Sequence, residues 1–369
     1  MQEMVRQNPE GISLAAAVPY KSPLPHVIKA YQDALVSGYH RYGPSRGLPR
    51  LKEAIATKLK DFNGISADPD TEILVTHGAG HGFLISLMAF LNPGDEVLTA
   101  DPSFPLNFGT TTLLGAVPRP FRLCAEDNFG IDFDSLEHAV SPRTKLLIFH
   151  TPNNPTGTVC GPDDLQRLAN FVIEHDLVVL SDEVYERYQF DGRRHHSLAT
   201  IDGMKERVVS LFSFSKEYAI SGARIGYVVA DQQTIDVIAR IQQNDGAGAN
   251  HAGQVAALAA LNGPQGFLDD WMAEFDRSRR HTVETLNRIP GVTCDMPQGG
   301  FFVFADISKL GTSDDVWKLL LREAKVGVAP GIWYGPHGEG YVRLCYGAAP
   351  FEVLELGLAR ISEVLGRLS

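Results

Sequence analysis

Hydroxyl and basic side chains interrupt an apolar stretch of the chain between Val208 and Asp231. Its two ends, VVSLF and IGYVVA, are typical of buried strands. Between them stand Ser213, Ser215 and Lys216, and an arginine follows eight residues after the lysine. Serine hydroxyls and an arginine can hold a phosphate, and a lysine can form a Schiff base with an aldehyde. These residue types predict a phosphate site beside a reactive lysine.

Polar or aromatic residues also follow the other apolar, strand-like runs. EILVT leads into a glycine turn and then a helix, whose first main-chain amides are free to bind an anion. The residues at or just after the ends of these runs are Ala79, Gly80, Phe104, Asn154, Asp182 and Tyr185, and Arg224 immediately precedes the run IGYVVA. Ligands of open α/β sheets bind beyond the carboxyl ends of the strands. We therefore expect these residues to converge on one rim.

Each member of this set has a structural explanation when it is taken alone. A glycine turn before a helix is usually only a tight turn, and a phenylalanine is usually part of the core. Asn154 stands before Pro-Thr-Gly as a turn residue would, and Asp182 could cap a turn. Single lysines and arginines are mostly surface groups. The functional interpretation depends on the whole set.

One ligand accounts for nearly every member of the set. The helix amides, the serines and Arg224 can hold a phosphate, and Lys216 can bind an aldehyde. A carboxylate can pair with a protonated ring nitrogen, a tyrosine and an asparagine can donate to a phenolic oxygen, and an aromatic ring can stack on a flat ligand. Phosphate, aldehyde, pyridine nitrogen and phenolic oxygen together describe pyridoxal 5′-phosphate.

Two kinds of pattern alternate along the chain and predict its fold. Up to about residue 250, continuous apolar strands are separated by helical segments, which is typical of a mostly parallel sheet sandwiched by helices. Beyond that point long helices precede VTCDMPQGGFFVFADI and GYVRLCYG, which resemble strands of a smaller α+β unit. We predict an α/β fold with a large domain over residues 41–250. Residues 1–40 and 251–369 would form the small domain.

Composition excludes several classes of protein. The 369 residues carry a formal net charge of -11 and no basic block, which argues against nucleic acid or an anionic membrane as partner. No segment has the apolar length of a signal peptide or a spanning helix. The four cysteines are far apart and no zinc-site spacing occurs, so no metal site is predicted. A cytoplasmic location follows as the expectation.

With these motifs in place, the chain resembles the class I/II aminotransferases, which have the aspartate-aminotransferase fold (fold type I). The resemblance rests on Y-G-P-S-R-G-L-P-R-L-K-E-A-I-A from Tyr42, G-A-G-H-G-F-L from Gly78 and D-P-S-F-P from Asp101. It continues with N-N-P-T-G, S-D-E-V-Y, S-F-S-K followed by an arginine, and V-R-L. The segments occur in the family's order and spacing over nearly the whole chain. Each is weak alone, and together they are specific.

The resemblance implies a role for each residue of the set. Lys216 resembles the Schiff-base lysine and Asp182 the partner of the ring nitrogen. Tyr185 and Asn154 resemble the donors to the ring oxygen, and Phe104 the stacking aromatic. The phosphate would be held by Ser213, Ser215, Arg224 and the amides of Ala79 and Gly80.

The resemblance also implies a partner and a substrate group. Tyr42 resembles a tyrosine that reaches the phosphate from the neighbouring subunit, which implies a homodimer. Arg343 resembles the arginine that binds the substrate α-carboxylate. The implied reaction moves the amino group of an L-amino acid to a 2-oxo acid.

Two positions depart from the family pattern. Ala17 stands where the family usually has a glycine near the substrate, which leaves the identity of the substrate open. Gly80 replaces a polar residue at the phosphate helix, which removes a side-chain donor and keeps the amide. An acidic substrate side chain would need a further cation, and Lys21 and His40 are weak candidates.

Three alternatives remain open at this stage. Relatives with the same residues carry out elimination, replacement or cyclisation of an amino acid side chain. A Rossmann-type nucleotide-binding protein would explain the glycine turn, but its third glycine is misplaced and Lys216 and Arg224 would have no role. A cofactor-sensing regulator would need a DNA-binding domain, for which this chain has no room.

Overall fold

The computed structural model describes residues 10–368. Its strands, in chain order, are β1 (Ile12–Ser13), β2 (Ile73–Thr76), β3 (Glu96–Asp101), β4 (Val117–Cys124), β5 (Gly130–Ile131), β6 (Thr144–His150), β7 (Val178–Asp182), β8 (Val208–Ser213), β9 (Gly226–Val229), β10 (Val303–Asp306), β11 (Val326–Gly327), β12 (Ala329–Pro330) and β13 (Tyr341–Leu344).

Its α-helices, in chain order, are α1 (Pro25–Val36), α2 (Pro49–Lys58), α3 (Ala79–Phe90), α4 (Pro105–Leu113), α5 (Phe133–Ala139), α6 (Pro162–Glu174), α7 (Phe214–Glu217), α8 (Gln232–Gly246), α9 (His251–Asn262), α10 (Phe267–Leu286), α11 (Ser313–Leu319) and α12 (Phe351–Gly366). A π-helical turn, Leu59–Asn63, continues α2, and another, Leu320–Ala324, continues α11.

The central sheet has eight strands in the order β2-β9-β8-β7-β6-β3-β4-β5. The five neighbours from β8 to β4 pair in parallel, whereas β9 is antiparallel to both β2 and β8 and β5 is antiparallel to β4. Strand β9 reverses direction because the segment after β8 contains only short helical turns and no helix that crosses the sheet. The predicted mostly parallel α/β fold is confirmed.

Helices cover both faces of this sheet, which explains its continuous apolar strands. On one face Phe83 and Ile85 of α3 and Ile235 of α8 pack against Leu74 and Val228 of the sheet. A separate cluster joins α2 to other sheet side chains, including Phe212 and Tyr227. Strands buried on both sides need apolar residues at consecutive positions, as β2 and β9 have.

Two smaller sheets include the strands of the C-terminal part of the chain. Strand β13 pairs antiparallel with both β10 and β12, and the N-terminal β1 pairs in parallel with β11. Ile12 and Leu14 belong to the same buried cluster as α10 and α12. Each of the two C-terminal segments expected to be strands contains one shorter strand, Val303–Asp306 in the first segment and Tyr341–Leu344 in the second.

Three further properties concern the described residues as a whole. None of the helices in residues 10–368 is long and apolar enough to cross a membrane. All four cysteines are free thiols. Within the same residues, no group of three or more His, Cys, Asp or Glu side chains is placed to hold a metal ion.

Candidate active site

A cavity of about 470 Å³ opens at the carboxyl ends of the parallel strands. Of the thirteen residues that the sequence predicts for the site, twelve line it: Ala17, Ala79, Gly80, Phe104, Asn154, Asp182, Tyr185, Ser213, Ser215, Lys216, Arg224 and Arg343. They come from segments that are up to 326 residues apart in the chain, from 17 to 343. The fold therefore brings these twelve residues together around one cavity, as the sequence predicts.

Strand register brings the central members of this group together. Asp182 ends β7 and lies opposite Leu211 on the parallel neighbour β8, whose last residue is Ser213. On the other side, Asp182 lies opposite His150, the last residue of β6. Parallel strands of similar length end at one level, so the residues that follow them share one edge.

The N-terminus of α3 forms one end of the cavity. Gly78 is its N-cap at φ 82°, a left-handed conformation, and a side chain there would approach Nη2 of Arg224 to 2.8 Å. A Cβ on Gly226 would lie 2.5 Å from the amide nitrogen of Ala79. Both glycines keep space around the free amides at the start of the helix. A helix start with free amides is a general anion site.

Arg224 adds a cation beside this helix start. Its backbone is also left-handed, at φ 57° and ψ 56°, which is uncommon for a residue with a side chain and costs free energy. The guanidinium donates to the carbonyls of Ser221 at 3.0 Å and His77 at 3.4 Å. The group is exposed, so it can still bind an anion from the cavity side.

The two serines lie on the strand end and on the helical turn α7. The Oγ of Ser213 accepts a hydrogen bond from the amide of Ser215 at 3.1 Å and so caps α7. An accepting hydroxyl retains its own hydrogen, so Ser213 can still donate into the cavity.

Lys216 lies in α7 directly after these hydroxyls. Its ammonium donates to the main-chain carbonyl of Ala17, which belongs to the N-terminal segment that covers the cavity. Burial lowers the pKa of Lys216 to about 8, and the positive charges of Arg343 and Arg224 act in the same direction. A substantial fraction of the amine is therefore neutral near physiological pH, as a nucleophile or a base requires.

Asp182 faces the cavity with few partners. One carboxylate oxygen accepts from the amide of Val184 at 3.1 Å, and the other lies 3.5 Å from Nδ1 of His150. Burial raises the pKa of Asp182, since desolvation disfavours the ionised form, while His150 lowers that pKa. A largely buried carboxylate that borders an open cavity fits a protonated ring nitrogen.

Arg343 lies on β13 and is almost fully buried. Its Nη1 donates to Oδ1 of Asn154 at 2.7 Å, and its Nη2 donates to the carbonyl of Ala15. Its Nε is buried with no hydrogen-bond partner. A buried donor without a partner is costly. A carboxylate ligand would remove that cost.

Two aromatic residues complete the predicted site. Phe104 precedes α4 as its N-cap and lines the cavity. Tyr185 is buried and packs edge-on against Phe301 and Phe302. Burial raises the pKa of the Tyr185 hydroxyl, so it remains a proton donor at physiological pH.

Three other residues named from the sequence lie elsewhere. Tyr42 is 89% exposed and lines a separate, wide cavity with residues 248–252. Lys21 pairs with Glu274 and does not line the active-site cavity. His40 is exposed, with its Nδ1 3.1 Å from the carbonyl of Leu35. Lys21 and His40 are therefore not placed to bind a substrate side chain in this chain's own cavity.

Several residues of the cavity were missed in the sequence. The missed apolar residues are Ala15, Ala16, Val18, Phe83, Leu106 and Val184. The missed polar residues are Ser221 and His150, of which only His150 is titratable. His150 ends an apolar strand immediately before the T-P-N-N-P-T-G loop. The same rule that located Asp182, a polar residue at a strand end, would have found it.

These features fit pyridoxal phosphate on physical grounds. The glycine-lined helix start and Arg224 suit a phosphate, the depressed pKa of Lys216 suits an aldehyde, and Asp182 suits a pyridinium nitrogen. The unpartnered Nε of Arg343 suits the carboxylate of a substrate. Fold and site together define an enzyme of the pyridoxal-phosphate fold type I class.

Comparison with known proteins identifies the family. A family profile described as "Aminotransferase class I and II" matches residues 9–361. The chain is 40% identical to an aspartate aminotransferase of Pyrococcus abyssi, over 96% of this chain and 91% of that one. It is 37% identical to aromatic-amino-acid aminotransferase 2 of Thermococcus litoralis, over 97% and 93%. The crystal structure of an aromatic aminotransferase from Pyrococcus horikoshii superposes with a TM-score of 0.94 at 38% identity, covering all of both chains.

The chain belongs to the class I and II aminotransferases. It is a pyridoxal-phosphate-dependent transaminase, and the sequence prediction of amino-group transfer is confirmed. The comparisons give no support to the alternative of elimination, replacement or cyclisation.

Proposed function

We propose that the chain transfers the amino group of an L-amino acid to a 2-oxo acid, with Lys216, Asp182 and Arg343 as the central residues. The supporting observation is that an amine of depressed pKa, a largely buried carboxylate and a buried guanidinium with a free donor border one cavity. Amino and carboxylate groups on one carbon are the shared feature of α-amino acids. Lys216 and Arg343 line the same cavity and offer an amine and a cation to these two groups.

Binding of the cofactor would divide among three groups of side chains. The amides of Ala79 and Gly80 and the donors Ser213, Ser215 and Arg224 would hold its phosphate. Phe104 would stack on its ring, and Asn154 and Tyr185 would donate to its ring oxygen. Asp182 would keep its ring nitrogen protonated.

The chemistry then depends on proton transfer by the chain. When bound, pyridoxal phosphate supplies the aldehyde carbon that accepts the amino group and a ring that accepts electrons. Arg343 would bind the substrate carboxylate in a bidentate fork and so orient the Cα–H bond. The neutral amine of Lys216 would remove the Cα proton as a general base. Its low pKa makes this step accessible near neutral pH.

We also propose a homodimer in which Tyr42 reaches the partner's phosphate site. The motivation is that Tyr42 is 89% exposed, near two other exposed apolar side chains, Leu35 and Val36.

We propose that residues 41–250 form one domain and that residues 1–40 and 251–369 form the other, since β1 pairs with β11 and packs with the C-terminal helices. Residues 1–9 lie outside the described residues. We further propose that the enzyme works in the cytoplasm.

Two measurements test the proposed chemistry. Borohydride reduction of the cofactor-loaded enzyme, followed by peptide mapping, should place the phosphopyridoxyl group on Lys216. In the absence of any acceptor, an amino acid substrate should release one equivalent of oxo acid per active site and then stop. Adding a second oxo acid should restart turnover, because each half of a ping-pong reaction waits for the other.

Lys216→Ala is the matched control for both measurements. It should still bind the cofactor through the phosphate site but should release no oxo acid. Label on a different lysine would remove Lys216 from its role. Continuous turnover without an acceptor, with ammonia accumulating, would show that transamination is not the principal reaction.

A further inference from the structure

Two large apolar side chains border the active-site cavity and remain open to solvent. Val18 is 39% exposed and Leu106 is 43% exposed, and both line the cavity. Neither residue belongs to the groups that would hold the cofactor. Apolar side chains that stay exposed beside a ligand cavity are suited to contact with an apolar part of the ligand. Val18 and Leu106 are therefore available to a part of the substrate that the proposed roles leave unbound.

Both side chains lie next to residues of the proposed reaction centre. Val18 follows Ala17, whose carbonyl accepts a hydrogen bond from the ammonium of Lys216. Leu106 lies in the first turn of α4, two residues after the proposed stacking residue Phe104. An amino acid that reacts at the lysine must enter the cavity that these two apolar side chains border.

The chain holds both apolar side chains on defined backbone. The amide of Tyr20 donates to the carbonyl of Gly347 at 2.9 Å, which ties the segment after Val18 to the C-terminal part of the chain. Leu106 follows Pro105, the first residue of α4, and proline at this position has the backbone angle that a helix needs. A surface formed before the ligand arrives loses little conformational freedom when the ligand binds.

The lysine and arginine side chains of the cavity already have partners or proposed roles. Within residues 10–368, those that line it are Lys216, Arg224 and Arg343. Lys216 donates to the carbonyl of Ala17, and Arg224 donates to two main-chain carbonyls beside the phosphate site. The free Nε of Arg343 suits the α-carboxylate. An acidic substrate side chain would thus meet an apolar wall, and a buried carboxylate without a paired cation is costly.

We propose that Val18 and Leu106 are specificity-determining residues that bind the side chain of the amino acid. The preferred substrates are amino acids with apolar side chains, such as leucine, over acidic amino acids of similar shape. This inference rests on the proposed function and deepens it by naming the class of side chain. The expected selectivity has a physical scale, since one methylene in an apolar pocket changes kcat/KM by roughly 10- to 200-fold.

Amino acids of matched shape test the preference on the wild-type, cofactor-loaded enzyme. The side chains of leucine, asparagine and aspartate branch at the same carbon and differ in polarity and charge. Without an acceptor, loss of the cofactor's absorbance measures the first half-reaction for each amino acid. We expect leucine to react fastest and aspartate slowest, with a difference in kcat/KM of at least roughly tenfold. Aspartate reacting as fast as leucine would overturn the inference.

Variants of the apolar wall test whether these two residues set the preference. Leu106→Asn should lower the ratio of kcat/KM for leucine to that for alanine roughly tenfold, the effect of one to two buried methylenes. Val18→Thr keeps the shape and adds a hydroxyl, and it should lower the same ratio. Each ratio is measured within one protein, so a partial loss of folded enzyme cancels.

Leu113→Asn is the matched control for the change at Leu106. Leu113 is the last residue of α4, is 78% exposed and does not line the cavity. Its substitution should leave the leucine-to-alanine ratio unchanged. The inference is overturned if the control lowers the ratio as much as Leu106→Asn does. It is also overturned if the ratio stays constant in Leu106→Asn and Val18→Thr while their sedimentation changes, because the two residues would then serve a subunit contact.

A binding measurement gives a readout that does not depend on turnover. The probes are N-(5′-phosphopyridoxyl)-L-leucine and N-(5′-phosphopyridoxyl)-L-aspartate, added to the cofactor-free enzyme and followed by calorimetry. The leucine probe should bind more tightly to the wild-type protein. Leu106→Arg supplies a cation and should shift the preference toward the aspartate probe, whereas Leu113→Arg should not. A preference for the aspartate probe in the wild-type protein would overturn the inference.

The two kinds of measurement separate this inference from the proposed function. If aspartate releases oxo acid as readily as leucine, the apolar preference fails and amino-group transfer stands. If no amino acid releases oxo acid, the proposed function fails, and the two probes still decide whether Val18 and Leu106 bind an apolar side chain.

Discussion

Lys216 must meet two requirements that oppose each other in an ordinary lysine. It must be neutral often enough to act as nucleophile and base, yet it must stay anchored in a polar cavity. Burial makes the amine neutral more often by lowering the pKa of Lys216 to about 8. The hydrogen bond to the main-chain carbonyl of Ala17 anchors the side chain in the cavity. The reactivity of this amine is therefore set by its position and can be measured without any substrate.

Competitive acylation of the apoenzyme should single out Lys216. An ordinary lysine titrates near 10.4, so at pH 7 an amine of pKa 8 has roughly two hundred times more of the reactive neutral form. The acylation rate of Lys216, followed by mass spectrometry across a pH series, should reach half its maximum near pH 8. Peptides from exposed lysines in the same digest give the reference. A midpoint above pH 10 would contradict the pKa argument.

Arg343 should tolerate lysine poorly even though the charge is kept. The planar fork places two donors on Asn154 and Ala15 and leaves Nε unpartnered, whereas an ammonium offers a single point charge. Arg343→Lys should weaken substrate capture by about 1.5–3 kcal/mol, the range for hydrogen bonds to charged groups. Steady-state kinetics should show this loss in kcat/KM for amino acids. An unchanged kcat/KM would exclude Arg343 from carboxylate binding.

At the scale of elements, the start of α3 offers unused space. Gly80 lies in its first turn, a Cβ added to it would meet no atom within 4 Å, and its φ is not left-handed. Gly80→Ser would add a hydroxyl beside the proposed phosphate site and remove a glycine from a helix. Cofactor affinity should rise by about 1 kcal/mol, roughly fivefold, for one added hydrogen bond. A spectroscopic titration of the apoenzyme measures it.

Gly109→Ser is the control for this change. Gly109 also lies in a helix, α4, and a Cβ there would likewise meet no atom within 4 Å, so the two variants share the gain in helix propensity. Both should raise the free energy of unfolding, but only Gly80→Ser should raise cofactor affinity. Equal affinities would show that a hydroxyl at position 80 makes no hydrogen bond to the cofactor.

The same elements show how far the sequence predicts the structure. Continuous apolar runs predicted the sheet, and the residues at the strand ends predicted twelve lining positions of the cavity. The antiparallel direction of β9 could not be predicted, since it depends on how a short segment turns in space. The pair of Lys58 with Glu186 joins residues 128 positions apart and follows only from the folded arrangement. His150 was missed although it ends a strand as Asp182 does, so the strand-end rule could have predicted it.

At the scale of the whole molecule, one chain does not account for every predicted site residue. Tyr42 lines a cavity with His40, Arg41 and residues 248–252, separate from the active-site cavity. Leu35 and Tyr42 line that cavity, and Val36 is the last residue of α1. All three apolar side chains are exposed. Apolar side chains that are grouped and exposed are typical of protein interfaces. This arrangement favours a second copy of the chain that receives Tyr42 in its own phosphate site.

Mixing two defective proteins tests whether Tyr42 acts across a dimer. Tyr42→Phe lacks the hydroxyl for the phosphate, and Lys216→Ala lacks the base. If Tyr42 serves the partner, each heterodimer has one site free of both changes, and random exchange of subunits makes about a quarter of all sites of this kind. The mixture should then exceed the summed activities of the separate proteins, with faster recovery when subunit exchange is promoted by dilution and reconcentration. If Tyr42 serves its own subunit, every Lys216 site in the mixture keeps the Phe change and no activity is gained. Sedimentation of a fully active monomer would also exclude the shared site.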